Sequence, residues 1–145
     1  MEQDNFIQAS IAEREKMTQL FNKLGIQSYY FTNVEGYDKE DGYFTGRTGN
    51  PIVFEVKNRD ISSKEYKTIM IGEDKIDHLL ELAKTTNNTP YVFWFFNDGT
   101  YCFEQIKIGQ YYSSIPMPVA ATTVGTNKEI TLKPFVHFNK KLRTL

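Results

Sequence analysis

Apolar residues recur at helical spacing in two stretches of the chain. In residues 4–24 they fall on one face with a period of 3.6 residues, and Gly25 provides a natural stop. A second helix is predicted from Glu73 to about Lys84, because acidic residues in a first turn suit the helix dipole and the apolar positions again share one face. The inner face of this second helix consists of Ile76, Leu79, Leu80 and Ala83.

Strand patterns occupy much of the remaining chain. Residues 26–34 are rich in aromatic and β-branched side chains, which favour strands. Residues 91–96 form the most apolar run in the chain and predict a central buried strand. Residues 97–100 carry a strong hairpin signal, so a further strand is expected at residues 101–108.

Other segments have weaker patterns. Residues 60–68 are polar and are predicted to be a loop. In the tail, a short strand is predicted at residues 119–124 and a longer one at 129–138, separated by a turn. Pro134 places the longer strand at a sheet edge or a bulge, because proline lacks the N–H group that a strand ladder requires.

Residues 41–59 predict a hairpin with an unusual second strand. Residues 42–46 and 52–56 have strand composition, and the residues between them, including Gly49, have turn chemistry. Because side chains alternate between the faces of a strand, one face of the second strand is apolar and consists of Ile52, Phe54 and Val56. Its other face carries Val53, Glu55 and Lys57. A carboxylate and an ammonium group therefore lie side by side at the end of an apolar strand.

The hairpin also brings an aspartate towards this strand. If the turn is symmetric, Glu55 pairs roughly opposite Gly42, and Asp41 lies within one residue of Glu55, where Cβ atoms approach to about 5 Å. Asp41, Glu55 and Lys57 are therefore expected to converge. Asp38 is the alternative to Asp41, because a bulge near this point would shift the register.

Two carboxylates and a lysine form a chemically coherent set. The repulsion between two carboxylates is relieved by a hard divalent cation, and Mg²⁺ commonly takes one or two carboxylates while it keeps several waters. Such an ion polarises a phosphoryl oxygen and lowers the pKa of a bound water. A nearby lysine can orient that water or stabilise the charge that develops on phosphate. The pattern indicates phosphodiester hydrolysis with Mg²⁺, and Mn²⁺ as its substitute.

An Asp, a β-turn and then Glu-Val-Lys on an apolar strand resembles the PD-(D/E)XK nuclease superfamily, and within it the small resolvase-like or phage-type endonucleases. The resemblance covers about residues 5–108 and implies a restriction-endonuclease-like α/β sandwich, with a mixed central β-sheet flanked by helices. Residues 109–145 are expected to be a β-rich extension of the same single domain. The Pro that names the motif is absent, since Glu40 precedes Asp41, but that position varies in the superfamily.

The resemblance also implies an acidic residue on the first helix that reaches the metal site. Helical periodicity places Glu13 on the apolar stripe and Glu15 on the polar side. A lone buried carboxylate is costly, so Glu13 is expected to have a partner or a function. The alternative is that Glu13 lies at the helix rim and pairs with Lys16 or Arg14.

The function implied by the resemblance is that of a Mg²⁺-dependent endonuclease acting on DNA, including branched DNA such as Holliday junctions. Asp41 and Glu55 would bind the metal, Glu13 would support it directly or through water, and Lys57 would position the attacking water. By resemblance alone, a homodimer is also expected.

Positive charges near the hairpin are candidates for contact with nucleic acid. The formal net charge of the 145-residue chain is −1 and its pI is about 6.1, so the protein has no general basic footprint. A local phosphate-binding rim is the hypothesis, and merely solvated side chains are the alternative. The candidate residues are Arg47, Arg59, Lys64 and, on the second helix, Lys75.

Composition excludes several other classes of site. Cys102 is the single cysteine, so no intramolecular disulfide is formed and a buried structural thiol is expected. His78 and His137 lack partners at metal-ligand spacing, which argues against zinc. No apolar run has membrane-spanning length and no signal peptide pattern is present, so we expect a cytoplasmic protein with no membrane partner, from a bacterium or a phage-infected cell.

Two alternatives stay open from the sequence. The first is a nuclease-fold protein without catalysis, which serves as a binding or assembly module and in which Glu55 and Lys57 form an ordinary ion pair. The second is a nuclease for RNA, because the choice between DNA and RNA depends on contacts with the 2′-hydroxyl group.

Overall fold

The computed structural model describes residues 2–33, 40–120 and 130–145. Asp38 and most of the strand predicted at 119–124 lie outside the described residues. The elements in chain order are α1 (Glu2–Leu24), β1 (Tyr29–Phe31), β2 (Gly42–Thr45), β3 (Pro51–Arg59), β4 (Thr68–Gly72), α2 (Glu73–Thr86), β5 (Thr89–Phe96), β6 (Thr100–Gln105), β7 (Ser114–Ala120), β8 (Ile130–Asn139) and β9 (Arg143–Thr144).

The larger sheet has six strands in the order β1-β2-β3-β5-β6-β9. β3 and β5 are parallel, whereas the other neighbours are antiparallel, so the sheet is mixed. The parallel pair requires a crossover, which β4 and α2 provide. The most apolar run of the chain forms β5, the neighbour of β3 and β6, as expected for a strand buried on both faces.

The two helices cover opposite faces of this sheet. On one face, α1 buries Met17, Leu20 and Phe21 against Phe54 and Val56 of β3. On the other face, α2 packs with a core that contains Ile76, Leu79, Val53 and Trp94. Alternation along β3 therefore divides its apolar side chains between two cores. The predicted α/β sandwich, with a mixed central sheet flanked by helices, is confirmed.

A smaller sheet has the order β4-β8-β7 and includes much of the tail. β4 lies just beyond the predicted loop, and its apolar Ile69 and Ile71 gave a strand signal that was missed. β8 pairs with β4 at residues 135–139 and with β7 at residues 130–136. Pro134 lies in the part of β8 that pairs with β7 alone, so its missing N–H breaks no ladder on the other side.

The first predicted strand is shorter than expected. Residues 26–34 were predicted to be extended, but only Tyr29–Phe31 pair with a neighbour among the described residues. The limit is set by β2, which spans only Gly42–Thr45. No helix in the described parts of the chain is long and apolar enough to cross a membrane.

Candidate active site

The register of β2 and β3 places Asp41 opposite Glu55. Gly42 pairs with Phe54, and the backbone N–H of Asp41 donates to the carbonyl of Phe54 at 2.9 Å. This differs by one residue from the expected pairing of Gly42 with Glu55, and it moves Asp41 closer to Glu55 than the sequence predicted. Gly42 allows the close approach of the strands, because a Cβ there would lie 2.4 Å from the carbonyl oxygen of Tyr30.

One edge of β3 becomes free at this point. Among the described residues, β3 has a strand on its β2 side only as far as Phe54, whereas its pairing with β5 continues to Arg59. The N–H of Val56 on β3 has no partner from β2 and instead donates to Oδ2 of Asp41 at 2.6 Å. The Asp41 carboxylate thus takes the place of a backbone carbonyl. Side chains from both faces of the sheet can therefore meet at this edge.

Glu55 is a buried carboxyl held between two lysines. Its Oε1 lies 3.2 Å from Nζ of Lys57 and 3.7 Å from Nζ of Lys75, the latter on α2. The side chain of Glu55 is only 5% exposed, whereas those of the two lysines are 24% and 29% exposed. Burial and then the nearby charge of Asp41 raise the pKa of Glu55 to about 8, although both lysines act in the opposite direction.

Asp41 and Glu55 interact directly. Burial raises the pKa of Asp41, and hydrogen bonds from the Val56 N–H and with the Glu55 side chain partly oppose that rise. Two buried carboxyl groups this close disfavour each other's ionisation, and the charge of Asp41 raises the pKa of Glu55. Such coupled, buried carboxyls are typical of functional sites.

Glu13 approaches the same edge from α1. Burial, followed by the charge of Asp41, raises its pKa to about 7. The charges of Lys57 and Arg59 and a backbone hydrogen bond from Asn58 counter this effect. Arg14, which with Lys16 was the alternative partner of Glu13, donates to the carbonyl of Thr32. The role of Glu13 at the site stays a prediction.

The donor set fits Mg²⁺ or Mn²⁺ as a two-carboxylate site. Asp41 and Glu55 share one location, and a buried pair of repelling carboxyls is the arrangement that a hard cation relieves. Within residues 2–33, 40–120 and 130–145, no three carboxyl, histidine or cysteine side chains form a closed cage. Glu13 therefore lies within electrostatic reach of Asp41 without completing a third ligand position.

Glu40 and His78 form a contact that sequence reasoning missed. Glu40 is 7% exposed, and its Oε2 lies 3.0 Å from Nε2 of His78 on α2. The carbonyl of Glu40 also accepts from the hydroxyl of Thr32 at 2.7 Å. One sequence signal was available: His78 follows Lys75 by three residues, so both side chains project from the same side of the helix.

The predicted basic rim is only partly assembled. Lys75 contacts Glu55, and Arg59 lies on the same face of β3 as Lys57, where burial lowers its pKa. Lys64 is exposed in the turn after β3. Arg47 lies in the β2–β3 turn at the other end of β3, so the structure does not bring it to the same place.

Comparisons with known proteins identify the fold. No protein-family model matches the chain, and no curated protein matches its sequence. Among solved structures, the chain is similar to Hjc from Archaeoglobus fulgidus, a Holliday junction resolvase from an archaeal hyperthermophile, with a TM-score of 0.52 and 15% sequence identity. The similarity covers 66% of this chain and 76% of that chain. The protein therefore has a resolvase-like α/β fold, as the hairpin motif led us to expect.

Proposed function

We propose that this protein is a metal-dependent endonuclease that hydrolyses phosphodiester bonds in DNA. The observation that carries the proposal is the meeting of Asp41, Glu55 and Lys57 where β2 leaves β3, with both carboxyl pKa values raised by burial. An isolated surface ion pair would not bury Glu55 beside a second carboxyl.

In this proposal, Asp41 and Glu55 hold Mg²⁺, or Mn²⁺ in its place, and Glu13 supports the ion through water. When bound, the ion supplies a polarised phosphoryl oxygen and a more acidic water. The N–H of Val56 holds Asp41 in place through its Oδ2.

Lys57 acts on the reacting groups in this proposal. Its ammonium lies beside Glu55, is partly exposed, and can donate hydrogen bonds to the attacking water or to a phosphate oxygen. Lys75 offsets the charge of Glu55 from the α2 side. Arg59 continues the positive face of β3, where it can contact a neighbouring phosphate.

Branched DNA is the proposed substrate class. Its support is the similarity in fold to a Holliday junction resolvase. A homodimer belongs to the same proposal, since cutting two strands symmetrically needs two sites. Ile130 and Leu132 are exposed on the same face of β8 and offer an apolar surface for self-association.

The test is cleavage of linear duplex, single-stranded, four-way-junction DNA and matched RNA with Mg²⁺ or Mn²⁺. We expect metal-dependent cutting of branched DNA by the wild type and its loss in Asp41→Asn, Glu55→Gln and Lys57→Ala. Glu81→Gln and Lys84→Ala are matched controls, because both residues are exposed on α2.

Different outcomes separate the rival functions. Cutting of RNA in preference to DNA would show that the protein is a ribonuclease and would contradict the proposed action on DNA. Binding of junction DNA without cutting by the wild type under any divalent ion would contradict the enzyme and favour a nuclease-fold binding module. Cutting that survives Glu55→Gln would contradict the proposed site.

A further inference from the structure

A cavity of about 400 Å³ lies between the end of β3 and the smaller sheet. Its volume is within the range of about 300–1,000 Å³ that is usual for sites of small organic groups. The residues that matter for its chemistry are Arg59, Tyr66, Met70, Trp94 and His137. The proposed hydrolysis uses none of the last four.

The cavity has a largely apolar lining, with one exposed aromatic ring at its mouth. Trp94 is fully buried, and its indole N–H donates to the carbonyl of Met70 at 2.9 Å, which fixes the plane of the ring. Tyr66 also lines the cavity but is 63% exposed, so it lies on the solvent side. An exposed ring such as that of Tyr66 can stack on the face of a nucleobase, whatever the base.

One ring nitrogen of His137 in the cavity wall lacks a hydrogen-bond partner among the described residues. Nδ1 of His137 lies 3.0 Å from the hydroxyl of Thr68. Nε2 of the same ring is shielded from solvent and has no hydrogen-bond partner among the residues that the structure describes. Buried polar atoms are normally paired, so this nitrogen is suited to a ligand that brings a complementary group. The edges of nucleobases carry such donors and acceptors.

The turn that forms one side of the cavity is firmly held. Ser63 donates through its backbone N–H and its hydroxyl to the carboxylate of Asp98, at 2.9 and 2.6 Å. Lys140 donates to the carbonyls of Ser63 and Tyr66. The cavity is therefore preformed, which reduces the entropy that a ligand would lose on binding.

The cavity is next to the proposed active site. Arg59 lines it and lies on the same face of β3 as Glu55 and Lys57. At about 3.3 Å per residue, Arg59 is roughly 13 Å along the strand from Glu55. Nucleotides rise by about 3.4 Å each along one strand of a duplex, so this spacing corresponds to about four nucleotides.

We propose that this cavity takes one unpaired nucleobase of the substrate strand, turned out of the stack within about four nucleotides of the cleaved bond. The base would stack on Tyr66 at the solvent side of the cavity, with its edge towards Nε2 of His137, while Arg59 contacts the adjoining phosphate. This inference rests on the proposed function, because it places in the cavity a base of the same DNA strand that the active site cleaves. Extrusion costs least for a base that is already unpaired, so the cavity would favour branched or mismatched DNA over intact duplex.

The test uses DNA that carries a single unpaired 2-aminopurine at each of several positions beside the cleavage site. The DNA is bound to Glu55→Gln, which keeps it uncut, and 2-aminopurine fluorescence is recorded. We expect quenching at one position, as the base stacks in the cavity. Replacing that base by an abasic site should weaken binding about tenfold or more, as should Tyr66→Ala in the same protein, because stacking on an aromatic ring is worth about 1–3 kcal/mol per base.

The controls separate this proposal from the function on which it rests. Tyr111→Ala removes a tyrosine that is 87% exposed and does not line the cavity, and it should leave binding unchanged. If the wild type cuts DNA, but neither the abasic site nor Tyr66→Ala changes binding at any position, the cavity proposal is overturned and the endonuclease stands. Position-specific quenching by a wild type that never cuts would support the cavity and overturn the hydrolysis.

The source of the base is tested by competition. Free deoxyadenosine monophosphate is titrated against the bound 2-aminopurine strand, and the fluorescence of Trp94, the single tryptophan of the chain, is followed in parallel. Competition only at a large molar excess supports a base presented by a DNA strand. Displacement at equal concentration would show a free-nucleotide site and would overturn the assignment to the substrate strand.

Discussion

Nζ of Lys57 lies 3.2 Å from Oε1 of Glu55, two positions back on the same face of β3. This contact joins a partly exposed cation to a carboxyl that is almost fully buried. Glu55 keeps a pKa of about 8 in spite of that cation, because burial and Asp41 outweigh it. The ionised form of Glu55 is therefore disfavoured at the point where the pairing of β2 with β3 ends. A carboxyl of this kind suits a site at which a metal ion replaces a proton.

Because different roles are proposed for Lys57 and Glu55, replacing each residue should affect cleavage and Mg²⁺ binding differently. Lys57→Met should lower the single-turnover cleavage rate by about 100-fold or more, because it removes a donor that stabilises developing charge. The increase in melting temperature on adding Mg²⁺ should persist in this variant, since Lys57 is not a metal ligand. Glu55→Gln should lose both cleavage and the Mg²⁺ effect.

Lys84→Met is the matched control for the first variant and should behave as the wild type. If Lys57→Met abolished the Mg²⁺ effect on melting as fully as Glu55→Gln does, the separation of roles between the two residues would be wrong.

The raised pKa of Glu55 predicts an unusual dependence of stability on pH. Its pKa is about 8 in the folded protein against an ordinary value of 4.5, so between these values the folded state binds more protons than the unfolded state. The contribution of Glu55 to the free energy of unfolding is therefore fully favourable below about pH 4.5 and declines as the pH rises towards 8.

Urea denaturation of wild type and Glu55→Gln across pH 4.5–8.5, without divalent ions, measures this contribution. We expect the wild type to lose stability relative to Glu55→Gln as the pH rises, because the amide does not ionise. A difference between the two proteins that is constant over this range would show that the pKa of Glu55 is ordinary.

Much of this fold could be predicted from local patterns. Both helices, the apolar β5 and the hairpin around Gly49 follow from periodicity and turn chemistry, and those signals act over a few residues. The convergence of Asp41 and Glu55 also followed from a short turn, although its register was wrong by one residue.

The parts that could not be predicted depend on contacts between distant segments. β4 pairs with β8 at sequence separations of 63 to 71 residues, from Gly72 with Phe135 to Thr68 with Asn139, and no local pattern specifies that partner. The contact between Glu40 and His78 requires α2 to dock on the sheet. The cavity beside β3 likewise exists only because the tail folds back to provide His137 and Lys140. Local periodicity carries no information about contacts between segments that are far apart in sequence.

The close approach of β1, β2 and β3 predicts that Gly42 accepts no side chain. A Cβ on Gly42 would lie 2.4 Å from the backbone oxygen of Tyr30 and 2.8 Å from the ring of Phe54, so neither strand can yield easily. Gly42→Ala should destabilise the fold by about 1–3 kcal/mol, as overpacking typically does. It should also weaken the Mg²⁺ effect on melting, since it displaces the neighbouring Asp41.

Gly46→Ala is the matched control for this position. Its Cβ would also meet an atom at short range, 2.3 Å away, but that atom is the side-chain oxygen of Asn50, which can rotate. Urea denaturation should therefore give a smaller loss for Gly46→Ala than for Gly42→Ala. Equal losses, or an unchanged Mg²⁺ effect in Gly42→Ala, would contradict the spacing of these strands.

The environment of Cys102 predicts an unreactive thiol. The side chain is buried in the core with Trp94 and Val53, and burial, followed by the charge of Glu104, raises its pKa to about 11. Only the thiolate reacts with iodoacetamide, so alkylation of the native protein at pH 8 should be far slower than that of a free thiol. Mass spectrometry before and after unfolding in guanidinium measures both rates. Rapid alkylation of the native protein would mean that β6 is open to solvent, and the core between α2 and the sheet would then be less closely packed than the structure indicates.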